Sequence, residues 1–100
     1  LGDCFGAACA PVVVETAEAS LKRMGYAVGR NDPYAGGFIT RHYGQPARGR
    51  HALQIEINRQ LYMDEIKIAR IRVFQPLRAA MEKLAADLAR LAPALPGSAP

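Results

Sequence analysis

Between residues 52 and 58 the chain alternates without a break, with Leu53, Ile55 and Ile57 on one side and Gln54, Glu56 and Asn58 on the other. A period of two belongs to a strand, because successive side chains leave opposite faces of a pleated backbone. The segment therefore predicts a strand with one buried face, and other parts of the chain must supply what covers it. Two helical patterns are available. Val14, Ala17, Leu21 and Met24 recur at three- and four-residue steps, and so do Leu77, Met81, Leu84, Leu88 and Leu91. Pro11 suits the first turn of a helix, where its missing N–H costs nothing. Gly25 stands where a helix ends in a left-handed residue, and Glu18 is one turn ahead of Lys22, a favourable ion-pair spacing. Pro93 stops the second helix.

The remaining segments are shorter. Residues 26–30 predict a short strand running into a turn at Asn31-Asp32-Pro33, residues 38–40 an extended stretch after Gly36-Gly37, and residues 44–49 a loop around Pro46. Strands interleaved with helices predict an α/β layer architecture. At 100 residues the chain holds one small domain, expected over residues 1–92, with residues 93–100 a disordered tail. Leu1 in place of an initiator Met is expected of a piece of a larger chain.

The charge balance narrows the partners. The formal charge is +4, carried by arginines scattered from Arg23 to Arg90 and gathered in no tail or run, so no nucleic-acid partner is expected. No stretch nears the roughly 18 apolar residues of a membrane span, and two cysteines make no disulfide framework, so the cytoplasm is the default location. Cys4, Cys9, His42 and His51 are possible metal ligands. The cysteine spacing fits a structural zinc site only marginally and the two histidines are too far apart, which leaves buried or idle thiols as the reading.

Two places can carry chemistry. The polar face Gln54, Glu56, Asn58 suits a solvated edge strand, but a carboxylate in a cleft is also what hydrolysis needs as a base for the attacking water. The run Asn31-Asp32-Pro33-Tyr34-Ala35-Gly36-Gly37-Phe38-Ile39-Thr40-Arg41-His42-Tyr43-Gly44 gathers an acid, a base, a histidine, two tyrosines and three glycines. Paired glycines let backbone approach a ligand closely, and an arginine can grip a carboxylate through two parallel hydrogen bonds.

That run, followed by His51-Ala52-Leu53-Gln54-Ile55-Glu56-Ile57-Asn58-Arg59 and Leu61-Tyr62-Met63, resembles the C-terminal signature of N-formylglutamate amidohydrolases, and Leu1-Gly2-Asp3-Cys4-Phe5-Gly6 is similar to the Gly-Asp-x-x-Gly segment that precedes it. The resemblance runs from Leu1 to about Glu65. It implies the C-terminal part of a mixed sheet flanked by helices, with zinc-carboxypeptidase-like (phosphorylase/hydrolase-like) architecture. It also implies metal-dependent hydrolysis of an N-acyl amino acid, N-formyl-L-glutamate to L-glutamate and formate in histidine degradation. Carried onto this chain, Glu56 is the general base and Arg41 the anchor of a substrate carboxylate, with His42 and Tyr34 lining the site. The family's metal ligands lie upstream of these residues. The divalent metal, zinc by resemblance, is expected on the missing N-terminal half of the same protein, with no metal ligand here and no turnover by this piece alone. The last helix and an open sheet edge would then invite self-association. The alternative is a non-catalytic interaction module using that helix and the basic surface.

Overall fold

The structure is a computed structural model, and it describes residues 1–58, 63–64, 69–70 and 74–94. Its core is a pair of helices. α1 spans Pro11–Arg23 and α3 spans Phe74–Ala89, with a short α2 at Phe38–Tyr43 between them in the chain. Two strands, β1 at Met63–Asp64 and β2 at Ala69–Arg70, pair antiparallel with Met63 opposite Arg70.

α1 begins and ends as its sequence predicts. Pro11 occupies the first turn, and the N–H of the preceding Ala10 donates to Nδ1 of His51 at 3.0 Å. His51 is thus part of the helix's N-terminal scaffold. At the other end Gly25 adopts φ 95°, the N–H of Gly25 donates to Lys22 and that of Tyr26 to Leu21 (3.0 and 3.1 Å). This pair of bonds is the Schellman arrangement, which satisfies the last carbonyls of a helix. Glu18 pairs with Lys22 at 2.8 Å and also with Arg30, and these hydrogen bonds, Lys22 first, hold its carboxyl below the usual carboxylate range.

The two apolar stripes meet. Ala17 and Leu21 of α1 pack with Leu84 of α3, while Leu53, Met81, Leu88, Tyr26 and Val28 close around them. A neighbouring cluster joins Cys9, Val13 and Val14 to Leu1, Leu53 and Leu88. Cys9 is 1% exposed, and burial, then the charge of Asp3, push its thiol up; it packs as a small core residue. One polar link crosses the same helix pair. The Ser20 hydroxyl of α1 donates to Oδ2 of Asp87 on α3 at 2.7 Å, and Lys83 and Arg90 bind the other carboxylate oxygen. Leu84, Met81 and Leu88 of the α3 stripe are therefore engaged within the chain.

The middle of the chain departs from expectation. Residues 38–40, expected to be extended, open α2. Gly37 ends the extended turn and frees Phe38 to start a helix, which β-branched Ile39 and Thr40 do not prevent over so few residues. Residues 26–30 are held by the chain start, with Leu1's ammonium donating to Gly29 and the Asn31 N–H to Leu1, but they form no ladder. Residues 52–58 form a single antiparallel bridge, Gly2 with Gln54, with Leu53 packed inward and Ile55 38% exposed. Residues 45–50 close a hairpin around Pro46–Arg48 in a 3-10 turn, with Gly49 left-handed at φ 73°. Of the tail expected over residues 93–100, Pro93 and Ala94 belong to a 3-10 turn at Ala92–Ala94 and residues 95–100 lie outside the described residues, as do Arg59, Leu61 and Tyr62. No helix among the described residues is long and apolar enough to cross a membrane.

Candidate active site

Three segments distant in sequence meet at one edge of the helix pair, namely residues 1–6, 31–44 and 51–58. The first is the hub. Gly2 and Gln54 exchange both backbone hydrogen bonds at 2.8 Å, and the Cys4 N–H donates to the Ala35 carbonyl, also at 2.8 Å. The approach demands glycine at position 2, since a Cβ there would lie 2.6 Å from the Ala35 oxygen. Gly44, at the end of α2, is equally tight, with a Cβ meeting the Ala8 backbone at 2.6 Å.

Side chains reinforce the backbone contacts. Asp3, 6% exposed, accepts the Gly6 N–H at 3.1 Å and the Asn31 amide N–H at 2.9 Å. Asn31 answers by accepting the N–H groups of Asp3 and Phe5 at 3.1 and 3.3 Å. Asn31 is left-handed at φ 59°, as are Cys4 and Phe5 at 53° and 55°. Asn is among the residues that tolerate this region best. The Gly-Asp-x-x-Gly turn and the Asn-Asp-Pro turn are therefore tied together around the buried Asp3.

Beside that unit runs the polar face of residues 54–58. Nε2 of Gln54 donates to Oε1 of Glu56 at 2.8 Å, and Oε1 of Gln54 accepts the Gly37 N–H at 2.8 Å. Glu56 itself is exposed. It lines a cleft of about 370 Å³ together with Asp32, Pro33, Tyr34, Ile57 and Asn58, and borders a smaller apolar one that reaches Leu21, Leu77 and Met81. Glu56 is thus a solvent-exposed residue on a concavity that Asp32, Pro33 and Tyr34 also line.

Of the residues expected to act, Glu56 and Tyr34 share that cleft. Arg41 and His42 lie on α2 and line neither cleft. His42 stacks on Phe38 with centroids 5.0 Å apart and meets Tyr43 edge-on at 4.8 Å, and Arg41 forms no ion pair among the described residues. Phe38 and Ile39 are 70% and 71% exposed, so α2 presents an aromatic and aliphatic face beside an unpaired guanidinium. Among the described residues no three His, Cys, Asp or Glu side chains gather to hold a metal ion.

Sequence reasoning passed over Asp3, Asn31 and Gln54. Each was visible as a polar residue in a motif, but their roles depend on partners 28 and 17 residues away, which local patterns do not reveal.

The described geometry has close counterparts. A profile described as N-formylglutamate amidohydrolase matches residues 1–63. An N-formylglutamate deformylase of Pseudomonas putida is 37% identical over 87 residues, covering 84% of this chain and 33% of the relative. A second protein of that name, from Pseudomonas aeruginosa, is 44% identical over 66 residues, covering 65% and 25%. The crystal structure of N-formylglutamate amidohydrolase from Ralstonia eutropha JMP134 superimposes with a TM-score of 0.76 over 94% of this chain and 32% of that one, at 38% identity. The chain thus spans about a third or less of the length of each.

Proposed function

The chain belongs to the N-formylglutamate amidohydrolase family, and on that premise we propose that it forms the general-base and substrate-binding wall of an enzyme that hydrolyses an N-formyl amino acid, N-formyl-L-glutamate first among them. Glu56 removes the proton of the attacking water as it adds to the formyl carbon. It then returns that proton to the nitrogen as the C–N bond breaks, releasing formate and the amino acid. Arg41, with no carboxylate partner among the described residues, binds a carboxylate of the substrate through its planar fork. Tyr34 lines the cleft beside Glu56, and His42 stands next to Arg41 on α2.

The observation that carries this reading is the placement of Glu56, a carboxylate steadied by a neighbouring amide on the wall of a cleft that Tyr34 also lines. A base needs such an address, exposed enough to meet water and held firmly enough to meet it in one geometry. A metal centre does not fit on the described residues. In this reading a divalent cation, zinc by family resemblance, is held by residues outside these 100. The same remainder completes a mixed sheet on the bridge between Gly2 and Gln54 and covers the apolar face of α2, whose exposure would otherwise favour self-association.

The test is formate release by the full-length protein from N-formyl-L-glutamate, with N-acetyl-L-glutamate beside it. Release of formate at catalytic rates supports the reading. Inertness toward both substrates in metal-replete protein refutes it.

A further inference from the structure

Both ends of the Gln54 side-chain amide are engaged, and its orientation follows from its partners. A backbone N–H can only donate, so the amide oxygen must face Gly37, and the amide N–H is left pointing at Glu56. The i, i+2 spacing puts the two side chains on one face of an extended segment. The backbone of Gln54 is itself pinned by its two bonds to Gly2, whose Cα abuts the Ala35 carbonyl. A closed circuit results, running from Gly2 to Gln54 through the backbone, from Gln54 to Gly37 through the amide, and back to Gly2 through Ala35.

From this circuit we infer that Gln54 is a positioning residue for the hydrolytic reaction, holding the Glu56 carboxylate at the register set by the Gly36-Gly37 turn. The inference rests on the reading of Glu56 as the base. An exposed glutamate has three side-chain torsions to lose. A donor whose other end is fixed by the backbone restricts them. The amide also couples the loop to the base, since displacement of Gly37 would release the oxygen end of Gln54 and with it the constraint on Glu56. Misplacement of a reacting group by about 1 Å can cost roughly a hundredfold in rate, so a group that touches no substrate can still govern turnover.

The test compares Gln54→Glu, Gln54→Met and Glu56→Gln in the full-length, metal-loaded protein, with rates referred to folded protein by circular dichroism. Gln54→Glu keeps an oxygen for the Gly37 N–H, so the loop stays anchored, but replaces the donor facing Glu56 with a second carboxylate. Gln54→Met keeps the length of the side chain and removes both polar atoms. Both variants are expected to lose roughly tenfold to a hundredfold in kcat, with Gln54→Met at least as slow, while KM, and the melting temperature of Gln54→Glu, stay at wild-type values. A wild-type kcat in either Gln54 variant, with Glu56→Gln inactive, overturns the positioning role and leaves the base standing. A fully active Glu56→Gln enzyme overturns the base, and this inference with it. An equal rise in KM without loss of kcat also overturns it, since that is the mark of a binding residue.

Discussion

Asp3 and Asn31, 28 residues apart in the chain, exchange two hydrogen bonds, the Asn31 amide N–H to the Asp3 carboxylate at 2.9 Å and the Asp3 backbone N–H to the Asn31 side-chain oxygen at 3.1 Å. The pair fastens the turn that opens the chain to the loop that carries Tyr34, Gly36 and Gly37. Because Asp3 is almost wholly buried, loss of its partner leaves a desolvated carboxylate oxygen short of a donor, which is more costly than the bond itself is stabilising.

Asn31→Gly isolates that pairing, since glycine accepts the left-handed backbone at position 31 without strain. The variant of the full-length protein is expected to lose about 1–3 kcal/mol of stability, read from urea denaturation. A loss no greater than a few tenths would show that the pair is dispensable.

Gly2→Ala attacks the same junction from the backbone. Its Cβ would fall 2.6 Å from the Ala35 oxygen, and no side-chain rotation can relieve a clash with main chain. The expected cost is about 1–3 kcal/mol, with a lower melting temperature and a lower kcat, because Gly2 also pins Gln54.

The helix pair has a pH signature. The Ser20 hydroxyl, then Lys83, hold the Asp87 carboxyl below its ordinary value of 3.8. A carboxyl depressed on folding contributes stability above its unfolded value, and that contribution disappears as pH falls through the folded value. Wild type is therefore expected to melt above Asp87→Asn at neutral pH, with the gap closing as pH drops below about 4. Melting temperatures of both proteins across that range decide it; a constant gap would place the effect elsewhere.

Much of this was legible in sequence because it is periodic. Both long helices, the Gly25 stop and the Glu18–Lys22 pair follow from spacing alone, but the stripes mark only which faces are apolar, and the packing of Leu84 against Ala17 and Leu21 is not legible in them, since a sheet would serve as well. The α2 helix was not legible. Six residues with β-branched Ile39 and Thr40 carry no helical period, and the helix depends on Gly37 before it and on the tight seat of Gly44 against Ala8 after it. The polar face at residues 54–58 was legible as a pattern, yet the pattern could not say that Gln54 would turn one end to Gly37. His51, weighed as a metal ligand, serves at the start of α1 through Nδ1, a contact 41 residues long that no spacing rule anticipates.

Arg41 gives the substrate side of the account. Arg41→Ala in the full-length enzyme is expected to raise KM for N-formyl-L-glutamate roughly tenfold or more, the worth of a lost charge-assisted contact, with kcat little changed if the arginine grips ground state and transition state alike. An unchanged KM would remove it as the anchor.

Glu56 is tested most directly by the kcat for formate release of the full-length Glu56→Gln variant, measured beside wild type at equal metal content. Exchange of the carboxylate for an amide keeps shape and removes the base. A loss of roughly a hundredfold to ten-thousandfold, the usual contribution of general acid–base catalysis, is the predicted result. A variant that releases formate at the wild-type rate contradicts the assignment.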